Sequence, residues 1–202
     1  MLVRISLGEF NQTKIMVENF YEVRKEIFNN MPSTNYFLGK KQEQEIDQFD
    51  HHNCHYILAF SDTTVIGGVR LTSSIYPNLT FNFFKENLPS TLGIERASDL
   101  LEISKLGIKP IIDAKQPYQF KLEMLELLDA IFQFALDNNY KKVITVIEPT
   151  MERMLKTLWV SINHIKEISY NEKTKLAITT FDINTDQHQK LKNYRKNLSL
   201  LS

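Results

Sequence analysis

The sequence predicts an α/β (α+β) domain, on three observations. Two β-rich runs, His55 to Phe60 and Val65 to Leu71, flank Ser61-Asp62-Thr63-Thr64 and read as a hairpin. Leu122, Leu125, Leu128, Phe132 and Ala135 recur at helical spacing between strand-like segments at Asp99 to Ile108 and Lys142 to Ile147. Strand, helix and strand at this separation make a crossover unit.

The other elements follow in chain order. Between residues 8 and 30, Phe10, Ile15, Val17, Phe20, Tyr21, Val23, Ile27 and Phe28 predict a helix, with Asn11 or Thr13 as its cap. Arg24 and Phe28 are four apart and share one face. Residues 29 to 44 have no clear period and read as a long loop, a length usually tied to binding. Gly67 and Gly68 sit inside the second hairpin strand, where glycine marks a bulge or a close backbone approach. Phe81, Phe83, Phe84 and Leu88 suggest a short helix on the core. Pro149 opens a helix through MERMLKTLWVSI. His164 to Tyr170 and Lys175 to Ile183 form a closing strand pair. Residues 1–183 are expected to form a single domain, followed by a polar tail, 184–202, for which a docked helix and a frayed end both stand.

A chain of 202 residues suits one domain with a full-sized core. Its 24 basic and 24 acidic residues cancel, which argues against broad nucleic-acid binding. Cys54 is the only cysteine, so no internal disulfide forms and a reducing compartment is expected. The start MLVRISLGEF has no secretory pattern, and no apolar run approaches the roughly 20 residues of a membrane span. The expected location is cytoplasmic.

The chemistry concentrates between Glu45 and Lys105. An arginine inside a strand, Arg70, is costly to bury unpaired, and Asp47, Asp50 and Glu102 are its available partners. Two readings stand: a structural ion network at the end of a sheet, or a pocket for a zwitterionic amino acid whose ammonium meets carboxylates and whose carboxylate meets arginine. Spacing does not choose between them.

Arg24 and Phe28, then E-x-D-x-F-D, G-x-R-L, Phe84 and L-E-I-S-K, in this order, resemble the acyl-homoserine lactone synthases, the autoinducer synthases of bacterial quorum sensing. The likeness spans roughly residues 20 to 160. It implies a GNAT-like N-acyltransferase fold, a mixed, strongly twisted sheet flanked by helices with a cleft where two central strands splay. It implies S-adenosylmethionine as a substrate, an acyl thioester on acyl carrier protein or coenzyme A as the donor, and no further cofactor. Carried over residue by residue, it assigns Arg24, Phe28, Asp47, Asp50, Arg70, Phe84 and Glu102 to the substrate site. Glu102 is the candidate base, Asp47 or Asp50 orients the amine, and Arg70 and Arg24 anchor carboxylates or balance the acids. The family's pocket threonine falls on Thr145, and its carrier-docking helix on MERMLKTLW, with Lys141, Lys142, Arg153 and Lys156 as candidate contacts. Two positions depart from the pattern. Tyr36 or Phe37 stands where the family has a loop tryptophan, and Lys105 stands where it has an arginine. These departures keep open an N-acyltransferase with another amine acceptor; a further alternative, an inactive relative that binds an acyl carrier protein or a small ligand, is opposed by the retention of all three acids and both arginines.

Residues 51 to 55, HHNCH, offer four metal-capable side chains, but neighbours on a strand point to opposite faces, and no metal is expected.

Overall fold

The structure, a computed structural model, describes residues 2–6, 11–28, 45–90, 93–109, 119–169 and 175–200. The elements run β1 (Leu2–Ser6), α1 (Asn11–Phe28), β2 (Cys54–Ser61), β3 (Thr64–Ser73), α2 (Leu79–Phe83), β4 (Leu100–Ile108), α3 (Gln119–Asp137), β5 (Lys142–Ile147), α4 (Pro149–Thr157), β6 (Asn163–Ser169), β7 (Lys175–Asp182) and α5 (Thr185–Ser199). The strands form one mixed sheet of order β1-β2-β3-β4-β5-β7-β6. Among the described strands only β4 and β5 run parallel, joined by the crossover through α3.

Strand alternation sorts the core into two faces. Ile57, Ala59, Val69, Leu71, Leu101, Ile103, Val143 and Phe181 meet α3 on one face, with Leu191 and Leu198 of α5 outside it. On the other face Tyr56, Leu58 and Val65 pack against Val17, Phe20 and Tyr21 of α1, and Phe81 and Phe84 cover Leu100, Ile144 and Ile178. Close approach explains two glycines. A Cβ on Gly67 would lie 2.4 Å from the Gly107 carbonyl oxygen, and one on Gly68 would lie 2.6 Å from that of Ile57.

Three features differ from the sequence expectation or complete it. The helix predicted through residue 162 stops at Thr157, because Trp159 adopts a left-handed φ of 66° and the chain closes a Schellman turn. In that turn Val160 N–H reaches the Leu155 carbonyl at 3.2 Å and Trp159 N–H reaches that of Lys156 at 3.2 Å. Phe83 is turned outward, while Phe81 and Phe84 are buried. The polar segment after residue 183 is helical through Ser199. Asn184 caps α5, and Asp129 of α3 bonds both His188 and Arg195 of that helix.

Candidate active site

The β4–β5 ladder pairs Leu100 with Lys142, Leu101 with Val143 and Glu102 with Ile144, and there it stops. Beyond it the strands part around a cavity of about 270 Å³. Its lining includes Ser104, Lys105 and Leu106 of β4, Thr145 to Ile147 of β5, Phe28 of α1, Leu79 of α2, and Met151 and Met154 of α4. β4 carries a bulge here: Gly68 faces Gly107 and Arg70 faces Ser104, so Lys105 and Leu106 together oppose Val69. Lys105 takes a left-handed φ of 56° to make that bulge.

Beside the cavity lies a cluster of buried charges. Arg24, with no exposed surface, donates through Nε to Glu45 and through Nη1 and Nη2 to Asp50 at 2.8 and 3.1 Å. Arg70, equally buried, donates to Asp47, lies 2.9 Å from Asp50 and reaches Ser104 Oγ at 3.0 Å through Nε. Lys105 Nζ bonds Glu45, sits 3.4 Å from Asp47 and lies 5.7 Å from the centre of the Phe28 ring. The Tyr56 hydroxyl donates to Asp50 at 2.5 Å. Three cations and three carboxylates thus balance, as buried charge requires. One donor is left over: Arg70 Nη2 is buried and has no hydrogen-bond partner among the described residues.

Glu102 shares this face of the sheet but belongs to a different arrangement. It accepts N–H bonds from Leu79 at 3.1 Å and Thr80 at 2.6 Å, the first turn of α2. Its surroundings also set it apart electrostatically. Burial would raise Asp47 and Asp50, but Arg70, with Lys105 at Asp47 and Arg24 at Asp50, outweighs burial and holds both below the ordinary carboxylate value. At Glu102 burial prevails over the Thr80 and Leu79 donors and over Arg70, so its pKa is raised.

The structure therefore brings Arg24, Asp47, Asp50, Arg70 and Lys105 together, with Phe28 and Thr145 in the cavity wall beside them. The Thr145 hydroxyl donates to the Ile103 carbonyl at 2.7 Å. Phe84 lies in the apolar cluster under α2 rather than in the cavity wall, because its ring covers Leu100 and Ile144. Tyr36 falls outside the described residues. Arg153 and Lys156 are exposed on α4, although Lys156 is tied to Glu152 at 2.6 Å. Lys142 is exposed at the start of β5, about 16 Å along the strand from Ile147. Trp159 is 62% exposed on the far end of α4, tilted against Tyr194, and supplies no ring to the site.

Sequence reasoning missed Glu45, Ser104 and Tyr56 as members of the site, and the α2 amides that hold Glu102. Glu45 had a visible signal, being the first acid of the motif that holds Asp47 and Asp50. The amides carry no side-chain signature. Among the described residues no group of three or more His, Cys, Asp or Glu side chains is arranged to hold a metal. His51 Nε2 faces the Pro77 carbonyl at 2.8 Å, and the Cys54 thiol, raised by burial, donates to the Phe49 carbonyl at 2.8 Å. No helix of the described residues is long and apolar enough to cross a membrane.

Comparison with known proteins supplies the lineage. The family model described as autoinducer synthase matches residues 7–191. The chain belongs to the autoinducer synthase family. An acyl-homoserine-lactone synthase of Pectobacterium carotovorum subsp. carotovorum is 26% identical over 84% of this chain and 76% of its own length. Among solved structures, the CoA-dependent acyl-homoserine lactone synthase BjaI, with SAM and isopentyl-CoA, superposes with a TM-score of 0.82 at 19% identity. That match covers 97% of this chain and 89% of BjaI. An acyl-CoA N-acyltransferase from Pseudomonas aeruginosa shares the fold at a TM-score of 0.60 and 11% identity, covering 90% of this chain and 99% of that one. The fold of this autoinducer synthase is accordingly that of the N-acyltransferases, as the sequence motifs implied.

Proposed function

We propose that this site makes acyl-homoserine lactones, acylating the amine of S-adenosylmethionine from an acyl thioester and closing the lactone with release of 5'-methylthioadenosine. The observation that carries the reading is the meeting of an apolar cavity and a balanced charge cluster at the splay of β4 and β5. Ser104 and Lys105 belong to both.

The residues divide the chemistry. An α-ammonium attacks only after losing a proton, and a base works best when its pKa lies near the working pH. Glu102, raised by burial, suits that task, directly or through one water, whereas Asp47 and Asp50 stay ionised and orient the ammonium. Arg70 Nη2 offers its unused N–H to a substrate oxygen. Phe28 and the apolar wall of Leu106, Val146, Met151 and Met154 take the sulfonium side and the acyl chain. The freed amine attacks the thioester carbonyl, the carbon–sulfur bond breaks and the thiol leaves. The methionine carboxylate then attacks its own γ-carbon and expels 5'-methylthioadenosine, a ring closure that positioning alone accelerates strongly.

Purified protein supplied with S-adenosylmethionine and an acyl donor, followed by mass spectrometry, tests this. Lactone and 5'-methylthioadenosine in equal amounts are expected; an acylated S-adenosylmethionine without 5'-methylthioadenosine would show acyl transfer without ring closure, and no acylated product at all would point to another amine acceptor. For the donor we propose docking of an acidic acyl carrier protein on Arg153 and Lys156, with Lys142 as an outlying contact. Reversing the charges of Arg153 and Lys156 should raise KM for the carrier-borne donor several-fold and leave an acyl-CoA donor unaffected.

A further inference from the structure

The residues that hold Glu102 are themselves held from one place. The Leu79 and Thr80 amides belong to the first turn of α2, whose cap, Asn78, is fully buried. Asn78 Oδ1 accepts from Phe81 N–H at 3.0 Å, and its Nδ2 donates to the Ser74 and Tyr76 carbonyls at 3.1 and 2.9 Å. Arg96, in the segment leading into β4, doubles both contacts: its Nη1 donates to Ser74 at 2.7 Å and Tyr76 at 2.5 Å. Its Nη2 reaches Asn82 Oδ1 at 2.8 Å, the same oxygen that accepts from Asn78 N–H at 3.0 Å. The guanidinium lies 5.2 Å from the centre of the Phe81 ring. One exposed side chain therefore ties together the turn before α2, the cap of α2 and the side of α2.

We propose that Arg96 is a positioning residue for Glu102, fixing the first turn of α2 so that its two amides meet that carboxylate while Leu79 stays in the cavity wall. The effect on rate rests on the reading of Glu102 as the base. Besides the α2 amides, the charged group that acts on Glu102 is Arg70 on β3, which Arg96 does not touch. The fork suits this task, because the single nitrogen of a lysine cannot reach the Ser74 and Tyr76 carbonyls and Asn82 Oδ1 together and would keep only part of the contacts. Arg96 and Asn82 are exposed, so their replacement spares the core.

The test is a carbon-13 titration of glutamate carboxyls, with Glu102 assigned from the signal lost in Glu102→Gln, run beside pH–rate profiles. In Arg96→Met the Glu102 carboxyl should titrate at higher pH, because loss of ordered N–H donors disfavours the carboxylate. The acid limb of kcat/KM should move the same way, with kcat/KM down roughly tenfold. Asn82→Ala should reproduce a smaller part of this, and Arg96→Lys should restore a part. An unmoved Glu102 titration in folded Arg96→Met and Asn82→Ala would overturn the proposal. A titration that moves while the acid limb stays fixed would uphold the positioning role and reject Glu102 as the base, which separates the two ideas.

Discussion

Two groups of carboxylates lie on one face of the same sheet and are stabilised by different physics. Asp47 and Asp50 are held by full charges on Arg24, Arg70 and Lys105. Glu102 is held by two backbone N–H dipoles and is the more deeply desolvated in its effect. Full charges fix ionisation over the whole working range, whereas dipoles leave a proton exchangeable. The first environment suits holding a charge, and the second suits moving one.

The comparison breaks most sharply at Glu102→Gln. Amide formation should fall by roughly 10²- to 10⁴-fold in single-turnover assays, with fold retained. Should turnover survive there and vanish in Asp47→Asn, the two roles would have to be exchanged. Next comes Arg24→Met, which takes one of two cations from both Glu45 and Asp50 and leaves the buried cluster one positive charge short. Urea unfolding should show a loss of about 3–5 kcal/mol, as for other buried pairs deprived of one partner.

The pH dependence of stability should differ in sign between the groups. Asp47 and Asp50 have folded pKa values below their ordinary 3.8, so their contribution is present above about pH 4 and is lost as the pH falls towards the folded values. Asp50→Asn should therefore flatten the acid side of the Tm–pH curve. Glu102 is raised above its ordinary 4.5, so its ionisation costs stability as the pH rises through the folded value. The Tm of Glu102→Gln relative to the parent should rise over that range, and a parallel pair of curves would contradict the assigned direction. The smallest effect is expected from Lys105→Arg. Both cations can pair with Glu45 and Asp47, and each meets the same backbone strain at φ 56°, so Tm should move by only a few degrees.

How far the sequence carried depended on whether a feature lives in side-chain types. Strands and long helices follow from apolar periodicity, which is why α3 and the β2–β3 hairpin fall where expected. Arg70 announced Asp47 and Asp50, because a strand arginine has to be neutralised, whereas Glu102, the third partner expected, bonds the α2 amides instead. The end of α4 stayed hidden, since a left-handed Trp159 occupies the position that glycine would have marked. Phe84, assigned to the substrate site by the resemblance, lies in the apolar cluster under α2, a placement that aromatic identity alone does not reveal. The hold on Glu102 was invisible, because it rests chiefly on backbone N–H groups that any residues but proline at 79 and 80 would supply.

The three-pair join between β4 and β5 also has a mechanical meaning. Strands β1 to β4 and β5 to β7 are each knitted by long antiparallel ladders, while the seam between them is short, backed by α3 on one face and by Phe81 and Phe84 on the other. The sheet is thus two stiff leaves sharing one spine, and its lowest-energy opening runs along the seam rather than through either leaf. Amide exchange near Ile144 should outpace that in the middle of β2 and β3, and should slow when both substrates bridge the leaves.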